Sequence, residues 1–160
     1  MRIEIDDLSR PEVHALLNEH LQSMHELSPP ESVHALDLEK LRAPGITFWS
    51  AWDGSQLVGC GALKELDARH GEVKSMRTPS ARRRQGVGRQ LVGGIMRAAG
   101  RAGARSLFLE VAESNAAARA LYARAGFVEA ARRAGYYQRQ DAAAEDAIVL
   151  GADLTAVAAT

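Results

Sequence analysis

The chain has 160 residues, 46% of them hydrophobic and 25% charged, and its 20 basic and 20 acidic side chains balance to a formal net charge of zero. This size and composition predict one compact, soluble domain, and the neutral charge argues against a protein that binds nucleic acid through a general excess of positive charge. No apolar run reaches the roughly 18 residues of a membrane span, the first residues lack the apolar core of a signal peptide, and a single cysteine excludes an intrachain disulfide, so we expect a cytoplasmic protein without a cysteine-based metal cluster.

The first quarter of the chain predicts one strand and two helices. Residues 1–7 alternate between apolar and polar side chains as a strand does. Ser9 is suited to cap a helix that begins near Pro11 and ends before the proline pair at 29–30. A second, shorter helix is predicted over residues 37–42.

The middle of the chain predicts an antiparallel meander. Residues 47–52 and 56–66 are typical of a hairpin around the turn pair Asp53 and Gly54. A further turn leads into a strand over residues 72–78. Cys60 lies within the hairpin and is expected to be a small core residue.

The second half of the chain alternates helices and strands. An apolar stripe predicts a helix that ends near Gly100 or Gly103, and further strands and one more helix follow. The apolar stripe occupies positions 91, 92, 95 and 96, the strands are expected at 106–111, 127–136 and 147–150, and the second helix is expected at 116–125.

Charge is distributed unevenly along this neutral chain. Residues 1–75 carry 7 basic and 13 acidic side chains, whereas residues 76–160 carry 13 basic and 7 acidic ones. One explanation is that the basic half binds an anionic cofactor and the acidic half faces a cationic acceptor. The other is that the helices simply present different solvated faces.

The segment 82–91, RRRQGVGRQL, places a glycine-rich turn directly before an amphipathic helix. Gly86 and Gly88 lack a Cβ, so the backbone can approach a ligand closely, and the amides of a first helical turn have no intrahelical acceptor. Such a turn is suited to bind an anion, and the surrounding arginines add positive charge. Neither GxxxxGK[ST] nor a GxGxxG followed by an acidic residue is present, so the predicted phosphate belongs to another kind of ligand.

Two segments resemble the signatures of the GNAT superfamily of acyl-CoA-dependent N-acetyltransferases. Residues 83–88, RRQGVG, match the [QR]xxGx[GA] pyrophosphate loop, and residues 114–127, which begin SNAAARALY and end GF, match the second signature. From Arg105 onward the chain is similar to ribosomal-protein-alanine N-acetyltransferases, and before Arg97 it is similar to an uncharacterised bacterial GNAT group.

The resemblance implies a single-domain α/β GNAT fold. In that fold a mixed, mostly antiparallel central sheet is splayed between its fourth and fifth strands and is flanked by about four helices. The resemblance places the domain at residues 1–154 and leaves residues 155–160 as a frayed tail. Members of the superfamily are often dimers, so the resemblance leaves both a monomer and a homodimer as alternatives.

The resemblance also implies acetyl-CoA as cosubstrate and no metal. The pantetheine arm would lie in the splay like an extra strand, with its diphosphate on the glycine turn. Asn115 has a second interpretation as the N-cap of the following helix. The residues expected to contact the cofactor are Met76, Arg77, Thr78, Arg83, Arg84, Gln85, Gly86, Val87, Gly88, Arg89, Asn115 and Tyr122.

Three residues are catalytic candidates by the same resemblance. Tyr122 matches the general acid that protonates the departing thiolate, although a tyrosine there could also be a core residue. Glu110 matches the general base of the ribosomal-protein-alanine enzymes. Glu72, 14 residues before Gly86, matches the base of the histone-type enzymes, and only one of the two carboxylates need act.

The acetyl acceptor is left open by the sequence, because the two halves of the chain resemble different relatives. It is expected to be a primary amine, either of a small molecule or of a protein N terminus. Tyr136 and Tyr137 are candidates to line its pocket or to serve in packing. Rival interpretations are a non-catalytic acetyl-CoA-binding regulatory module and a nucleic-acid-binding protein that uses the arginines at 82–84.

Overall fold

The structure is a computed structural model that describes residues 1–18, 38–83, 85–137 and 144–155. Seven strands form one mixed sheet in the order β1-β2-β3-β4-β5-β7-β6. All neighbouring strands are antiparallel except β4 and β5, which are parallel. The strands are β1 (Arg2–Ile5), β2 (Ile46–Asp53), β3 (Gln56–Glu65), β4 (His70–Arg77), β5 (Ser106–Ala112), β6 (Val128–Tyr137) and β7 (Glu145–Asp153).

Helices cover both faces of this sheet. Residues 11–18 are helical and form α1, and the other helices are α2 (Leu38–Leu41), α3 (Val87–Arg101) and α4 (Ala116–Arg124), with a short 3-10 turn at Ser80–Arg82. The predicted cap of α1 is wrong. The Ser9 hydroxyl donates to the Asp7 carboxylate, and the first helical hydrogen bond runs from the His14 amide to the Arg10 carbonyl.

Two apolar cores hold the helices to the sheet. On one face, α3 and α4 bury Leu91, Ile95 and Tyr122 against side chains of β4, β5 and β7. On the other face, α1 and α2 cover β2 and β3, and Cys60 is fully buried in this second core as expected. Successive strand residues point to opposite faces of the sheet, so the sequence position of a residue on β4 or β5 decides on which face its side chain lies.

The sheet opens between β4 and β5. These strands are paired only at His70 with Ser106, Gly71 with Leu107 and Glu72 with Phe108, and the remainder of each strand has no partner across the gap. β5 continues against β7 over seven residue pairs, whereas β4 continues against β3 through a bulge. This confirms the expected α/β fold with a splay between its fourth and fifth strands.

Candidate active site

The glycine turn ends in a helix start that no side chain caps. Gly86 is the N-cap of α3 with φ 81°, a left-handed conformation that favours glycine, and the first helical turn contains no acidic residue. The Gln90 amide donates to the Gly86 carbonyl over 3.1 Å and makes the first helical hydrogen bond. The preceding amides of the turn therefore offer a site for an anion.

The two glycines of the turn serve different purposes. A Cβ at Gly86 would contact nothing within 4 Å, so this position requires glycine for its backbone conformation alone. A Cβ at Gly88 would lie 3.2 Å from the Leu121 side chain, so Gly88 allows α3 and α4 to approach each other. The expectation that both glycines allow the backbone to approach a ligand stays a prediction, and Gly88 has this packing role in addition.

The arginines around the turn also divide by role. Arg82 forms an ion pair with Asp53 over 3.2 Å and donates to Gln56 and Gln85, so it ties the turn to the β2–β3 hairpin. Arg83 and Arg89 are exposed, and no described carboxylate pairs with them. Arg84 lies outside the described residues. Gln85 donates to the Ala81 carbonyl within the loop.

The open edge of β4 carries a bulge at Ser75. Ser75 has φ 56°, which is uncommon for a residue with a side chain, and the register between β3 and β4 shifts at this point. Its buried hydroxyl has no hydrogen-bond partner among the described residues. Met76 directs its side chain over Gly61 into the α3 core, while Arg77 ends the strand just before Thr78.

Tyr122 lies on α4 and is 7% exposed in the α3 and α4 core. Its ring meets Phe127 edge to face, with centroids 5.7 Å apart. Burial raises the pKa of Tyr122 to about 12, and no described residue forms a hydrogen bond with its hydroxyl. The interpretation of Tyr122 as a core residue is therefore confirmed. The interpretation of Asn115 as an N-cap is also confirmed, because its side chain caps α4 by accepting from the Ala118 amide.

Glu110 lies on the face of β5 opposite to Leu109 and Val111, which enter the α3 and α4 core. Its carboxylate forms an ion pair with Arg133 over 2.7 Å. The Arg133 guanidinium lies over the Tyr136 ring, 4.6 Å from its centroid. The side chain of Tyr137 lies outside the described part of the molecule.

Glu72 shares this face of the sheet with Glu110. It stands directly opposite Phe108, in the last residue pair before the splay, and no described side chain forms an ion pair with it. Two residues further along β4, on the same face, is Lys74, which sequence reasoning missed. It is partly buried, and burial lowers the pKa of its ammonium group. The signal that could have singled it out is a lysine two residues after Glu72 within an otherwise partly apolar strand.

The predicted acid and the predicted bases therefore lie on opposite faces of the splay. Tyr122 belongs to the core beneath α3 and α4, while Glu72 and Glu110 face the other side. A ligand lying in the gap would have a buried phenol on one side and carboxylates on the other. Such an arrangement can supply a proton to one atom and remove a proton from another.

The described residues hold no cluster of metal-ligating side chains. Of the five histidines, His14 and His70 are described, and each is used locally: His14 contacts the Leu8 carbonyl and His70 pairs with Asp67. No helix in the described part of the chain is long and apolar enough to cross a membrane. Trp49 and Trp52 are both core residues.

Comparison with known sequences supports the resemblance. Residues 13–127 match the acetyltransferase (GNAT) family. The uncharacterised N-acetyltransferase YsnE of Bacillus subtilis (strain 168) is 56% identical over 129 residues, which cover 79% of this chain and 85% of YsnE. The ribosomal protein bS18-alanine N-acetyltransferase of Escherichia coli (strain K12) is 46% identical over 67 residues, which cover 42% of this chain and 45% of that enzyme. Relatives of both expected kinds are thus found.

Comparison with solved structures supports the fold. A GNAT family acetyltransferase from Elizabethkingia anophelis, solved with acetyl-CoA bound, matches with a TM-score of 0.75 at 18% sequence identity. The match covers 95% of this chain and 97% of that one. At this level of identity the likeness concerns the arrangement of strands and helices.

Proposed function

Because the chain belongs to the GNAT family of acetyltransferases, we propose that it transfers the acetyl group of acetyl-CoA directly to a primary amine within a ternary complex. The observation that carries this proposal is the coincidence of two features. The sheet opens at β4 and β5, and the uncapped start of α3 carries free amides and exposed arginines. We assign the catalytic domain to residues 1–154.

The cofactor would use these two features together. Its diphosphate would accept from the amides around Gly86, aided by Arg83, Arg84 and Arg89. Its pantetheine arm would lie along the unpaired part of β4, where main-chain groups of residues 76–78 have no partner strand on the β5 side. Acetyl-CoA supplies the activated acyl group, and the protein supplies orientation and proton transfer.

Tyr122 is the proposed general acid. Its hydroxyl has no hydrogen-bond partner among the described residues, so the fold does not use it. The raised pKa of about 12 keeps the phenol protonated at neutral pH, so its proton is available as the thiolate of coenzyme A departs. The thiolate would take that proton as the carbon–sulfur bond breaks.

The base is proposed to be Glu72 or Glu110. The Glu110 carboxylate is held in an ion pair with Arg133, whereas Glu72 has no ion pair among the described residues. An α-amine with a pKa near 7.7–8.0 costs only about 1 kcal/mol to deprotonate at pH 7, so either carboxylate could suffice for such an acceptor. Comparing Glu72→Gln with Glu110→Gln separates the two assignments.

The test is release of coenzyme A thiol from acetyl-CoA with a panel of amino acids, small amines, polyamines and alanine-starting peptides. The proposal expects turnover with at least one class and no covalent acetyl-enzyme in its course. The buried Cys60 thiol, whose pKa is raised to about 12, should not react with the thiol reagent used for detection. Binding of acetyl-CoA without turnover on any amine would instead favour the non-catalytic regulatory module.

A further inference from the structure

Lys74 is an uncommon lysine, because it is partly buried and no described carboxylate forms an ion pair with it. It lies on the face of β4 that carries Glu72, at the point where β4 has separated from β5. Resting on the acetyl transfer proposed above, we infer that Lys74 binds a carboxylate group of the acceptor. The acceptor is then a small amine that also carries a carboxylate, an α-amino acid in the simplest case.

The other lysines of the chain act electrostatically on Lys74. Only three of the 20 basic residues are lysines, and the other two, Lys40 and Lys64, both act on the charge of Lys74. Lys64 stands opposite Glu72 in the β3–β4 register, and Lys40 lies on α2. Partial burial lowers the pKa of Lys74, the Glu72 carboxylate opposes this change, and the two lysines add to it.

Two described carboxylates, Glu72 and Glu110, act on the charge of Lys74, and Glu72 has the larger effect. Glu110 also forms an ion pair with Arg133, and no described carboxylate forms one with Lys74. A partly buried ammonium without a direct partner loses hydration without gaining an ion pair. A carboxylate from a ligand would restore that pairing and relieve the repulsion among the lysines.

The same face offers a place for the amine of such a ligand. Glu72 precedes Lys74 by two residues on the same face of β4, and Glu110 acts on the charge of Lys74 from β5, so a ligand with an ammonium group beside a carboxylate would meet opposite charges here. The apolar Phe108 stands opposite Glu72 and next to Gly151, where an added Cβ would be 3.1 Å from its ring. A peptide N terminus has a neutral amide where a free amino acid has its carboxylate, so it would leave Lys74 unpaired.

The test compares acceptors that differ only in the carboxylate. Each L-amino acid is assayed beside its carboxamide and its decarboxylated amine, with wild type, Lys74→Met and Lys74→Arg. We expect wild type to prefer the free acid, and Lys74→Met to lose about ten- to hundredfold in kcat/KM on the acid, chiefly through KM, as expected for a lost charge-assisted hydrogen bond. The carboxamide should change less than about threefold, and Lys74→Arg should retain part of the preference.

A control variant removes one positive charge elsewhere. Arg101→Met removes an exposed cation in the last turn of α3. It should keep the preference for the free acid within about threefold, since this side chain is exposed and lies outside the group around Lys74. The KM for acetyl-CoA should be unchanged in every variant, and thermal unfolding should show that Lys74→Met is folded.

Several outcomes would overturn the inference. Equal turnover of acids and carboxamides by wild type, turnover of peptides alone, or an equal loss on both acceptors in Lys74→Met would refute it while acetyl transfer stands. Acetylation of Lys74 itself, seen by mass spectrometry after incubation with acetyl-CoA, would assign the lysine a different role. Absence of turnover on every amine, with acetyl-CoA bound, would contradict the proposed function and this inference together.

Discussion

Tyr122 and Ser75 each carry a hydroxyl group that forms no hydrogen bond with any described residue. A tyrosine that is 7% exposed normally finds a partner for its hydroxyl, yet no described residue provides one. Ser75 combines a left-handed backbone with a buried, unpaired hydroxyl. The left-handed backbone and the buried, unpaired hydroxyl of Ser75 each cost free energy, and Ser75 lies on β4 beyond its last residue pair with β5.

Replacing Tyr122 by phenylalanine should separate chemistry from packing. The variant keeps the ring that meets Phe127, so we expect unchanged thermal stability and a fall in kcat of about 10²–10⁴-fold, with KM for acetyl-CoA nearly constant. The matched control, Phe127→Leu, keeps the hydroxyl and disturbs the ring contact. It should cost about 1 kcal/mol of unfolding free energy without a comparable loss of kcat.

The pH dependence of the reaction follows from the same burial. A general acid must hold its proton, and raising the pKa of Tyr122 to about 12 keeps it protonated as pH rises through the neutral and mildly alkaline range. We therefore expect kcat/KM to rise with deprotonation of the amine and then to stay level to pH 10. A decline between pH 8 and 9 that disappears in Tyr122→Phe would contradict this assignment.

At the scale of elements, the start of α3 and the connection from β1 to α1 are held by different means. The α3 turn depends on the positive φ of Gly86 and on Arg82, which reaches the β2–β3 hairpin. The β1–α1 connection depends on Asp6, which is 9% exposed and accepts from the Leu8 amide and the Ser50 hydroxyl. The first depends on backbone conformation at the proposed diphosphate site, and the second depends on a buried polar network.

The same substitution should have opposite effects at the two ends of α3. Gly86→Ala places a side chain at φ 81° and should cost about 1 kcal/mol of unfolding free energy, along with weaker coenzyme A binding. Gly100→Ala adds a Cβ that meets nothing within 4 Å in a helical position, so it should gain about 0.5–1 kcal/mol. Urea unfolding of both variants measures the difference, and changes of the same sign would show that backbone conformation does not control the turn.

Asp6→Ala should destabilise the protein by about 2–3 kcal/mol. The change leaves the Leu8 amide and the Ser50 hydroxyl without their acceptor, and Ser50 in turn accepts from the Trp52 indole over 2.8 Å. The control is Asp7→Ala next to it, because Asp7 is exposed and its carboxylate accepts hydrogen bonds from Ser9 alone among the described residues. Its effect should stay near 0.5 kcal/mol in the same urea titration.

At the scale of the whole molecule, the splay divides the sheet into two groups of strands. β1 to β4 come from the acidic first half of the chain, and β5, β7 and β6 come from the basic second half. The two groups share only three residue pairs, and α3 crosses from the second half to lie against Gly59 and Gly61 of β3. A cofactor between β4 and β5 would therefore bridge the two groups.

Acetyl-CoA should accordingly stabilise the whole fold. At a concentration about 100 times its Kd, it should add about 2.7 kcal/mol to the free energy of unfolding and raise Tm by about 5–10 °C. Pantetheine, which lacks the diphosphate, should raise Tm far less, because it does not engage the start of α3. Differential scanning calorimetry measures both shifts, and no shift with millimolar coenzyme A would contradict the cofactor assignment.

Much of this protein could be predicted from short stretches of sequence. The strands, the apolar stripe of α3 and the glycine turn depend on backbone preferences and on periodic burial, which neighbouring residues encode. The two signatures at 83–88 and 114–127 were sufficient for the family and hence for the splayed sheet. The acid and base candidates followed from position within those signatures and still await their test.

Other features were decided only when distant segments came together. Glu110 forms an ion pair with Arg133, 23 residues later, and Arg82 forms an ion pair with Asp53 in the β2–β3 hairpin. That no described carboxylate forms an ion pair with Lys74, and that Gly88 faces Leu121, depends on which strands and helices become neighbours in space. Local preferences set the conformation of each segment, but the pairing of side chains is decided by tertiary packing, because burial and charge depend on everything that surrounds a group.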